Sequence, residues 1–249
     1  MAILQARMTS TRLPGKVLAP LLGEPMVARQ LERIRRAHRL DEIVIATSTD
    51  ASDDPLADWA GANDVKAFRG CLDDVLQRYV EVIDRFEPDV VVRLTADCPL
   101  TSPAVIDQVI ERFHASAVDY CSNTLVPSFP DGLDVEVVRA DVLREVAAVS
   151  TDPHEREHVT LGVYRHPERY RLANFEGSDD HSDLRWTVDT PEDMSFVTSV
   201  YEDLYSDEPA FEMRDVLALL ARTPGLSRTT KHAMRNAALS GLNTGAMRA

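Results

Sequence analysis

Short apolar runs alternate with stretches of helical periodicity along the first half of the chain. Residues 2–6, 43–46 and 90–94 are apolar runs of strand length. Residues 25–38 and 72–86 instead repeat their apolar side chains with helical spacing. Strands that alternate with helices in this way predict an α/β fold with a largely parallel sheet, doubly wound as in nucleotide-binding (Rossmann-like) domains.

Polar segments follow the predicted strands. In a doubly wound sheet, ligands bind beyond the carboxyl ends of the strands. The segments that leave those ends are residues 7–16, 47–50, 69–74 and 95–99. We therefore expect these four segments to lie on one rim of the sheet and to form the active site.

The alternation of strands and helices weakens between residues 122 and 175. In this part, residues 135–138, Tyr164 and Leu172 favour strands that flank a helix at residues 140–148. We expect the whole segment to form a sub-structure that covers the rim.

Two helix starts carry capping residues and proline. Asp53 or Asp54 is expected to cap the helix that follows the strand at residues 43–46. Asp189 or Thr190 is expected to cap a later helix that begins with proline.

The composition is that of a chain with a sizeable core. Of 249 residues, 44% are hydrophobic and 27% are charged, which excludes disordered and collagen-like architectures. No apolar run approaches the roughly 20 residues of a membrane span, and Met1 leads directly into the first strand without a signal sequence. We expect a cytoplasmic protein with no membrane partner, built as one domain over residues 1–224. The basic tail at residues 225–249 is expected to be frayed or a short helix.

Charge and cysteine content exclude further classes of function. The chain has 41 acidic and 27 basic residues, a formal net charge of −14, and only three of the basic residues are lysine. Such a surface repels a phosphate backbone, so nucleic acid is not expected as a partner. The three cysteines lack C-x-x-C spacing, which excludes a disulfide framework and a cysteine zinc site and predicts thiols in or near the core.

The strongest local motif directly follows the first strand. It combines Arg7, Ser10, Arg12 and Lys16 with a Pro-Gly turn. Guanidinium groups and backbone amides in such a loop bind phosphate oxygens. The motif is not a Walker A loop, which needs glycine at position 10 and serine or threonine at position 17. It predicts a triphosphate site, and the alternative is a solvated basic loop.

Two carboxylates stand at the ends of predicted strands. Asp97 follows an apolar strand, where a carboxylate has no packing role, and Asp189 ends a predicted strand at residues 184–189. For Asp189 alone, a helix cap is the simpler interpretation. Together, two carboxylates on one rim suit a hard cation that bridges phosphates. The sequence therefore predicts a Mg²⁺ site at Asp97 and Asp189.

A different motif suggests a zinc peptidase. His154, Glu155 and His158 satisfy the H-E-x-x-H pattern, in which two histidines one helical turn apart bind zinc. The extended form of this motif requires glycine at position 161 and histidine at position 164, and both are absent. Glu176 stands at a distance suited to a third ligand, but its surroundings are typical of a turn.

Six ordered segments of the chain resemble one known family. They are similar to the cytidylyltransferases of the spore-coat polysaccharide biosynthesis protein F type, relatives of the CMP-Kdo and CMP-sialate synthetases. The resemblance covers about residues 1–200. The segments are residues 5–16, 68–79, 92–99, 131–136, 155–160 and 185–193.

The resemblance implies a fold and a reaction. The fold would be the nucleotide-diphospho-sugar transferase domain of the GT-A type, with a mixed, mostly parallel sheet and helices on both faces. The reaction would be Mg²⁺-dependent transfer from CTP to a sugar, commonly an acidic keto-sugar, with release of pyrophosphate for surface-polysaccharide biosynthesis. Relatives often dimerise, so we expect a homodimer through part of residues 122–175.

The resemblance also assigns residues to roles. The metal would be held by Asp97 and Asp189. The catalytic residues would be Arg12, Lys16, Asp97 and Asp189. The nucleotide would be bound by Ala6, Arg7, Ser10, Arg12, Lys16, Arg69, Gly70, Asp74 and Asp97. The acceptor sugar would be bound by Asp131, Asp134, Glu136, His158 and Arg185, with His158 on a strand as in the CMP-Kdo synthetases, which opposes the zinc-peptidase helix.

Two alternatives remain open at this level. One keeps the fold but uses another nucleotide with a sugar 1-phosphate or other phosphorylated acceptor, because base selection depends on backbone contacts that a sequence does not display. The other is a nucleotide-binding regulatory protein without catalysis. The presence of Lys16, Asp97 and Asp189 argues against it, since a binding module has less need of a metal-bridged triphosphate.

Overall fold

The computed structural model describes residues 1–229. The strands are β1 (Ala2–Gln5), β2 (Pro20–Leu21), β3 (Glu24–Pro25), β4 (Ile43–Ser48), β5 (Ala67–Gly70), β6 (Val90–Thr95), β7 (Tyr120–Ser122), β8 (Glu136–Arg139) and β9 (Leu172–Asn174). The α-helices are α1 (Met26–Ile34), α2 (Asp54–Ala62), α3 (Val75–Phe86), α4 (Pro103–Ser116), α5 (Ala140–Val149), α6 (Pro153–Glu157), α7 (Leu161–Tyr164), α8 (Pro191–Leu204) and α9 (Met213–Arg222). Short 3₁₀ turns cover Lys16–Leu18, Ala51–Asp53 and Pro224–Leu226.

One mixed sheet organises the part of the chain that the structure describes. Its seven strands follow the order β5-β4-β1-β6-β8-β7-β9. Strand β1 pairs in parallel with β4 and β6, and β7 pairs in parallel with β9, whereas β8 runs antiparallel to both of its neighbours. The predicted mostly parallel α/β sheet is confirmed. A two-stranded hairpin of β2 and β3 lies apart from it.

Helices cover both faces of this sheet, because successive side chains of the central strands point to opposite sides. In β1, Leu4 packs in a cluster with α1, α4, α8 and α9, and its neighbour Ile3 packs in a second cluster with α3 and α5. In β4, Ile45 and Val44 divide between the same two clusters. All four side chains are fully buried. This two-sided burial explains why the central strands read as continuous apolar runs.

One of the two capping predictions is wrong and the other is confirmed. Asp53 precedes α2, but its buried carboxylate accepts the backbone N–H groups of Met8 at 2.7 Å and Ser48 at 3.0 Å instead of capping the helix. The carboxylate satisfies backbone donors of two other segments, and this use outweighs the local cap. Thr190 caps α8 through a capping box with Asp193, as its sequence position predicts.

The second half of the sheet departs from the prediction at Tyr164. Strand β8, helix α5 and the strand at Leu172 form as expected. Tyr164 instead ends helix α7, and His158 follows helix α6 rather than lying on a strand. The reason is tertiary: Leu161 and Val163 are buried in this helical turn, and a Cβ on Gly162 would come within 2.6 Å of Val146 in α5. Burial against a helix has overridden the strand preference of aromatic and β-branched residues.

Residues 184–189 do not form the predicted strand. Each of the first two residues makes an isolated bridge with a different segment, Leu184 with Thr229 and Arg185 with Asp131. The backbone hydrogen bonds are therefore divided between two partners, and a continuous ladder cannot form.

The remaining expectations concern the cysteines, the membrane and the tail. Cys98 and Cys121 are buried as expected, whereas Cys71 is exposed. Within residues 1–229, no helix has the length and apolar character to cross a membrane. In the expected basic tail, residues 225–226 belong to the 3₁₀ turn named above, residues 227–229 follow it, and residues 230–249 lie outside the described residues.

Candidate active site

A cavity opens where the winding of the sheet changes direction. The chain passes from β1 to β4 on one side and returns to β6 on the other side of β1, so the loops after β1 and β6 diverge. The cavity between them has a volume of about 220 Å³. Seven residues predicted for the site line it: Ala6, Arg7, Ser10, Arg12, Lys16, Asp97 and Asp189.

The loop after β1 is folded around one backbone carbonyl. The Met8 carbonyl accepts the N–H groups of Ser10 at 3.0 Å and Gly15 at 2.9 Å. The Ser10 hydroxyl accepts the N–H of Leu13 at 3.3 Å. The Asp53 carboxylate accepts the N–H of Met8 and also that of Ser48 in β4. The start of the loop is therefore fixed to the end of β4. This anchoring presents Arg7, which is exposed, at the cavity.

Lys16 joins the two predicted metal carboxylates. Its Nζ atom donates to Asp97 Oδ2 at 3.3 Å, to Asp189 Oδ1 at 3.0 Å and to the Val188 carbonyl at 2.6 Å. Asp97 also accepts the Thr95 hydroxyl at 2.6 Å. The structure thus brings together residues that are up to 173 positions apart.

The charges at this centre reinforce one another. Burial lowers the pKa of Lys16, but the carboxylates of Asp97 and Asp189 outweigh it, and the net pKa is raised. Burial raises the pKa of Asp97, but Lys16 and the hydrogen bonds from Thr95 and Cys98 outweigh it, and the net pKa is lowered. The ammonium of Lys16 and the carboxylate of Asp97 therefore stabilise each other's charged form.

Asp189 is held by further cations. Arg12 NH2 lies 3.0 Å from its carboxylate, and Arg185 also donates to it. Arg185 is 4% exposed at its side chain and donates to Asp131 at 2.7 Å. Gly132 allows this approach, because a Cβ there would come within 2.8 Å of the backbone that follows Arg185. Through Arg185, these contacts link Asp189 to Asp131, which is one of the residues predicted to bind the sugar.

The two carboxylates fit a divalent metal by their chemistry. Both offer oxygen ligands, which Mg²⁺ requires. The Lys16 ammonium is a stand-in cation between Asp97 and Asp189, which shows that this position favours positive charge. Two protein carboxylates with phosphate oxygens and water are a common ligand set for Mg²⁺ at nucleotide sites.

The loop after β5, which carries predicted nucleotide-binding residues, lies outside the cavity lining. Arg69 donates to the Ser48 carbonyl at 2.8 Å and to Asp54 at 2.6 Å, so it ties this loop to the end of β4. Asp74 caps α3 through the N–H of Gln77 and accepts Arg156 at 2.7 Å. Gly70, which follows Arg69 in the chain, is buried.

The residues predicted for the sugar form two groups. Asp131 and Arg185 join the Asp189 network, as described above. Glu136 is 7% exposed and is surrounded by donors: it accepts Arg93, the Tyr120 hydroxyl at 2.7 Å and the Thr160 hydroxyl.

His158 lies close to the Glu136 group. Burial lowers the pKa of His158, and the charges of Arg93 and Glu136 act on it in opposite directions. Its Nε2 atom is buried and has no hydrogen-bond partner within residues 1–229. Asp134 lies just before β8, and its charge adds to the effects of burial and Asp97 that raise the pKa of Cys98.

The zinc-peptidase motif forms no metal site. His154 and Glu155 lie on helix α6 and His158 caps it, but Glu155 accepts the hydroxyl of Ser150. In the described part of the chain, no three His, Cys, Asp or Glu side chains are grouped to hold a metal ion. A zinc peptidase centre uses three protein ligands.

Comparison with known proteins agrees with this geometry. Residues 1–218 match the family model described as cytidylyltransferase. The chain belongs to the cytidylyltransferase family. It is 34% identical over 229 residues to the spore coat polysaccharide biosynthesis protein SpsF of Bacillus subtilis (strain 168), covering 89% of this chain and 94% of that protein.

Two further relatives support the assignment. This cytidylyltransferase-family chain is 34% identical over 116 residues to the 3-deoxy-manno-octulosonate cytidylyltransferase of Geobacter metallireducens, covering 47% of this chain and 45% of that protein. A solved cytidylyltransferase from Leptospira borgpetersenii serovar Hardjo-bovis superimposes with a TM-score of 0.85 at 29% identity, covering 90% of this chain and 94% of that one. The predicted family, fold and class of enzyme, a nucleotidyltransferase, are confirmed.

Several contacts that support the candidate site were not predicted. Thr95 donates to Asp97, the Val188 carbonyl accepts Lys16, and Asp53 anchors the loop at Met8. The position of Thr95 at the end of an apolar strand was the one sequence signal available for it. The other two contacts depend on tertiary structure.

Proposed function

We propose that this chain is a Mg²⁺-dependent cytidylyltransferase that couples CTP to a sugar with release of pyrophosphate. One observation carries the proposal: the cavity after β1 is lined both by a phosphate-binding type of loop, with Arg7, Arg12 and Lys16, and by Asp97 and Asp189. Cations and carboxylates that line one cavity are what a metal-bridged triphosphate requires. The family membership supports cytidine as the base.

The transfer itself requires positioning and charge more than covalent chemistry. An acceptor hydroxyl attacks the α-phosphorus in line, a new phosphorus–oxygen bond forms, the bond to pyrophosphate breaks, and the hydroxyl proton is released to water. Arg12 and Lys16 bind the phosphate oxygens and stabilise the negative charge of the departing pyrophosphate. Asp97 and Asp189 would hold Mg²⁺, which would neutralise phosphate charge when bound. Arg185 keeps Asp189 in place from the buried side.

The acceptor in this proposal is an acidic keto-sugar. The Geobacter relative is named for the transfer to 3-deoxy-manno-octulosonate, a keto-sugar acid, and the Bacillus relative for polysaccharide biosynthesis. The group of Arg93, Glu136 and His158 offers the mixture of cationic, anionic and neutral polar groups that a hydroxylated acid requires. We propose this group, with Asp131 and Arg185, as the acceptor side of the site.

A panel assay tests the proposal. Pyrophosphate release is measured with Mg²⁺ and each of CTP, UTP, ATP and GTP, against keto-sugar acids and sugar 1-phosphates. The expected result is release that depends on CTP and on a keto-sugar acid. Release with another nucleotide or with a sugar 1-phosphate would contradict the substrate assignment and keep the fold. Absence of release with every nucleotide would support a regulatory protein without catalysis.

We also propose that the enzyme is a homodimer that pairs through part of residues 122–175. Two exposed large apolar side chains, Val126 and Val149, lie in this segment, at 49% and 59% exposure. Strand β9, from the same segment, ends the sheet order on that side. Light scattering on the full chain, with Val149→Asp as a variant, is expected to report a dimer that the variant weakens.

A further inference from the structure

The segment that follows helix α9 reaches back to the loop that carries Asp189. The N–H of Arg185 donates to the Arg228 carbonyl at 2.9 Å. Next to this contact, Leu184 forms an isolated antiparallel bridge with Thr229. The family match ends at residue 218, so these contacts come from a part of the chain beyond it.

A buried carboxylate connects the same segment to the backbone of Asp189. Asp193 is 1% exposed, and its Oδ2 atom accepts the N–H of Asp189 at 3.1 Å and the N–H of Thr190 at 3.0 Å. Its Oδ1 atom accepts Arg228 NH2 at 3.0 Å. Asp193 thus fixes the backbone from which the Asp189 side chain projects, and Arg228 holds Asp193 from the opposite side.

The charge of Asp193 needs a partner. Its two oxygens accept two backbone N–H groups and the Arg228 guanidinium in a site that is 1% exposed. Arg185 lies 3.9 Å from Asp193 and closer to Asp131 and Asp189. Arg228 is therefore the cation that neutralises Asp193 within hydrogen-bond distance.

Removal of Arg228 has a specific consequence. A buried carboxylate that loses its partner is costly, and within residues 1–229 the next cation beside Asp193 is Arg185, at 3.9 Å. If Arg185 moves toward Asp193, it leaves Asp189, and the carboxylate of Asp189 loses the contact that fixes it on its buried side. The removal of Arg228 would therefore alter the position of the Asp189 carboxylate.

We propose that Arg228 is a positioning residue for Asp189, acting through Asp193. The inference rests on the proposed metal-assisted transfer, in which Asp189 and Asp97 hold the divalent cation. Through Arg228, the segment beyond the family match thereby helps to position Asp189 in the site. Second-layer partners of metal ligands affect metal affinity by roughly 10- to 100-fold when they are removed.

Variants of the full chain test this. Arg228→Met removes the charge, Arg228→Lys keeps it, and Arg222→Met is the control, because Arg222 pairs with Asp203 on a surface where both side chains are more than half exposed. The measurements are Mn²⁺ affinity by water-proton relaxation with CTP and no acceptor, kcat and the KM for Mg²⁺ with acceptor, and melting temperature.

The proposal expects Arg228→Met to weaken Mn²⁺ binding and raise the KM for Mg²⁺ by about tenfold, with a smaller change in kcat. Arg228→Lys is expected to restore most of the affinity, and Arg222→Met to match the parent. A lower melting temperature with parental Mn²⁺ affinity in Arg228→Met would overturn the proposal and leave a structural role.

A double variant keeps the test valid if Arg228→Met does not fold. Asp193→Asn with Arg228→Met removes the buried charge and its partner together, and the amide oxygen of asparagine still accepts the N–H groups. The proposal expects this variant to fold and to bind Mn²⁺ within about threefold of the parent. Weakening by tenfold or more would overturn it. Failure of the parent chain itself to bind Mn²⁺ with CTP would instead reject the proposed function.

Discussion

Lys16 Nζ donates to Asp189 Oδ1 at 3.0 Å, so the loop after the first strand is joined to the segment before helix α8. The same nitrogen lies 3.3 Å from Asp97. The three side chains form one electrostatic unit at the mouth of the cavity.

Lys16→Met is expected to reduce kcat for pyrophosphate release by about 10²- to 10³-fold, because the phosphates lose a fixed cation. Lys66→Met is the matched control, since Lys66 is exposed and pairs with Glu42 on the surface. Initial rates with saturating CTP and Mg²⁺ provide the measurement. A Lys16→Met enzyme with the kcat of the Lys66→Met control would show that the ammonium group takes no part in transfer.

Asp53→Asn is expected to lower the free energy of unfolding by about 2 kcal/mol, because a buried carboxylate that accepts several donors is replaced by an amide. The KM for CTP is expected to rise as well, since the same carboxylate anchors the loop at Met8. Asp50→Asn is the control, because Asp50 lies on the surface and bonds to Ser52. Denaturant unfolding gives the free energy of unfolding, and CTP kinetics give the KM. Equal values of both quantities for Asp53→Asn and Asp50→Asn would contradict the anchoring role of Asp53.

Gly70→Ala is expected to destabilise the protein by about 1–3 kcal/mol and to raise the KM for CTP. A Cβ there would lie 2.8 Å from Arg78, whose guanidinium holds the carbonyls of Cys71 and Leu72 in the loop after β5. Gly61→Ala is the matched control in open space on α2, and it is expected to stabilise by about 0.4–1 kcal/mol. Thermal unfolding of both variants separates the cases, and a neutral Gly70→Ala would show that the loop tolerates displacement.

The pH dependence of stability is expected to contain a contribution from His158. Burial lowers its pKa below the ordinary 6.5; Glu157 and Glu136 oppose this, and Arg93 and His154 add to it. The unfolded chain therefore takes up this proton first on acidification, and the free energy of unfolding falls as the pH drops from about 6.5 toward the lower folded pKa.

Denaturant unfolding between pH 8 and pH 5 measures this contribution. Between pH 8 and pH 5, His158→Gln is expected to lose less of its free energy of unfolding than the parent. The control is His38→Gln, at an exposed position, which is expected to lose as much as the parent. Identical slopes for the parent and His158→Gln would mean that burial of His158 has no effect on its titration.

The parts of the site that the sequence predicted depend on local rules. The loop with Arg7, Arg12 and Lys16 follows a recognisable strand, and Asp97 ends another. In a parallel sheet such ends meet on one rim, so their proximity follows from the winding alone. The central strands were predictable for a similar reason, because burial on both faces leaves a continuous apolar run.

The parts that were missed depend on contacts between distant segments. Asp53 matched a helix cap by position, yet its carboxylate serves Met8, 45 residues earlier. Tyr164 had the side chain of a strand residue, but burial of its neighbours against α5 selected a helix. In the sequence, Arg228 is one charge of a basic tail. Its contact with Asp193 is formed by folding and is not visible in the sequence.

The most direct test of the central claim is CTP-dependent pyrophosphate release at limiting Mg²⁺ by the parent and by Asp97→Asn, each shown to be folded. Asp58→Asn, at an exposed position on α2, is the control. The account predicts that Asp97→Asn requires at least tenfold more Mg²⁺ for half-maximal activity and turns over more slowly, while the control matches the parent. A folded Asp97→Asn enzyme that transfers cytidylyl groups at the parental rate under limiting Mg²⁺ would contradict the account.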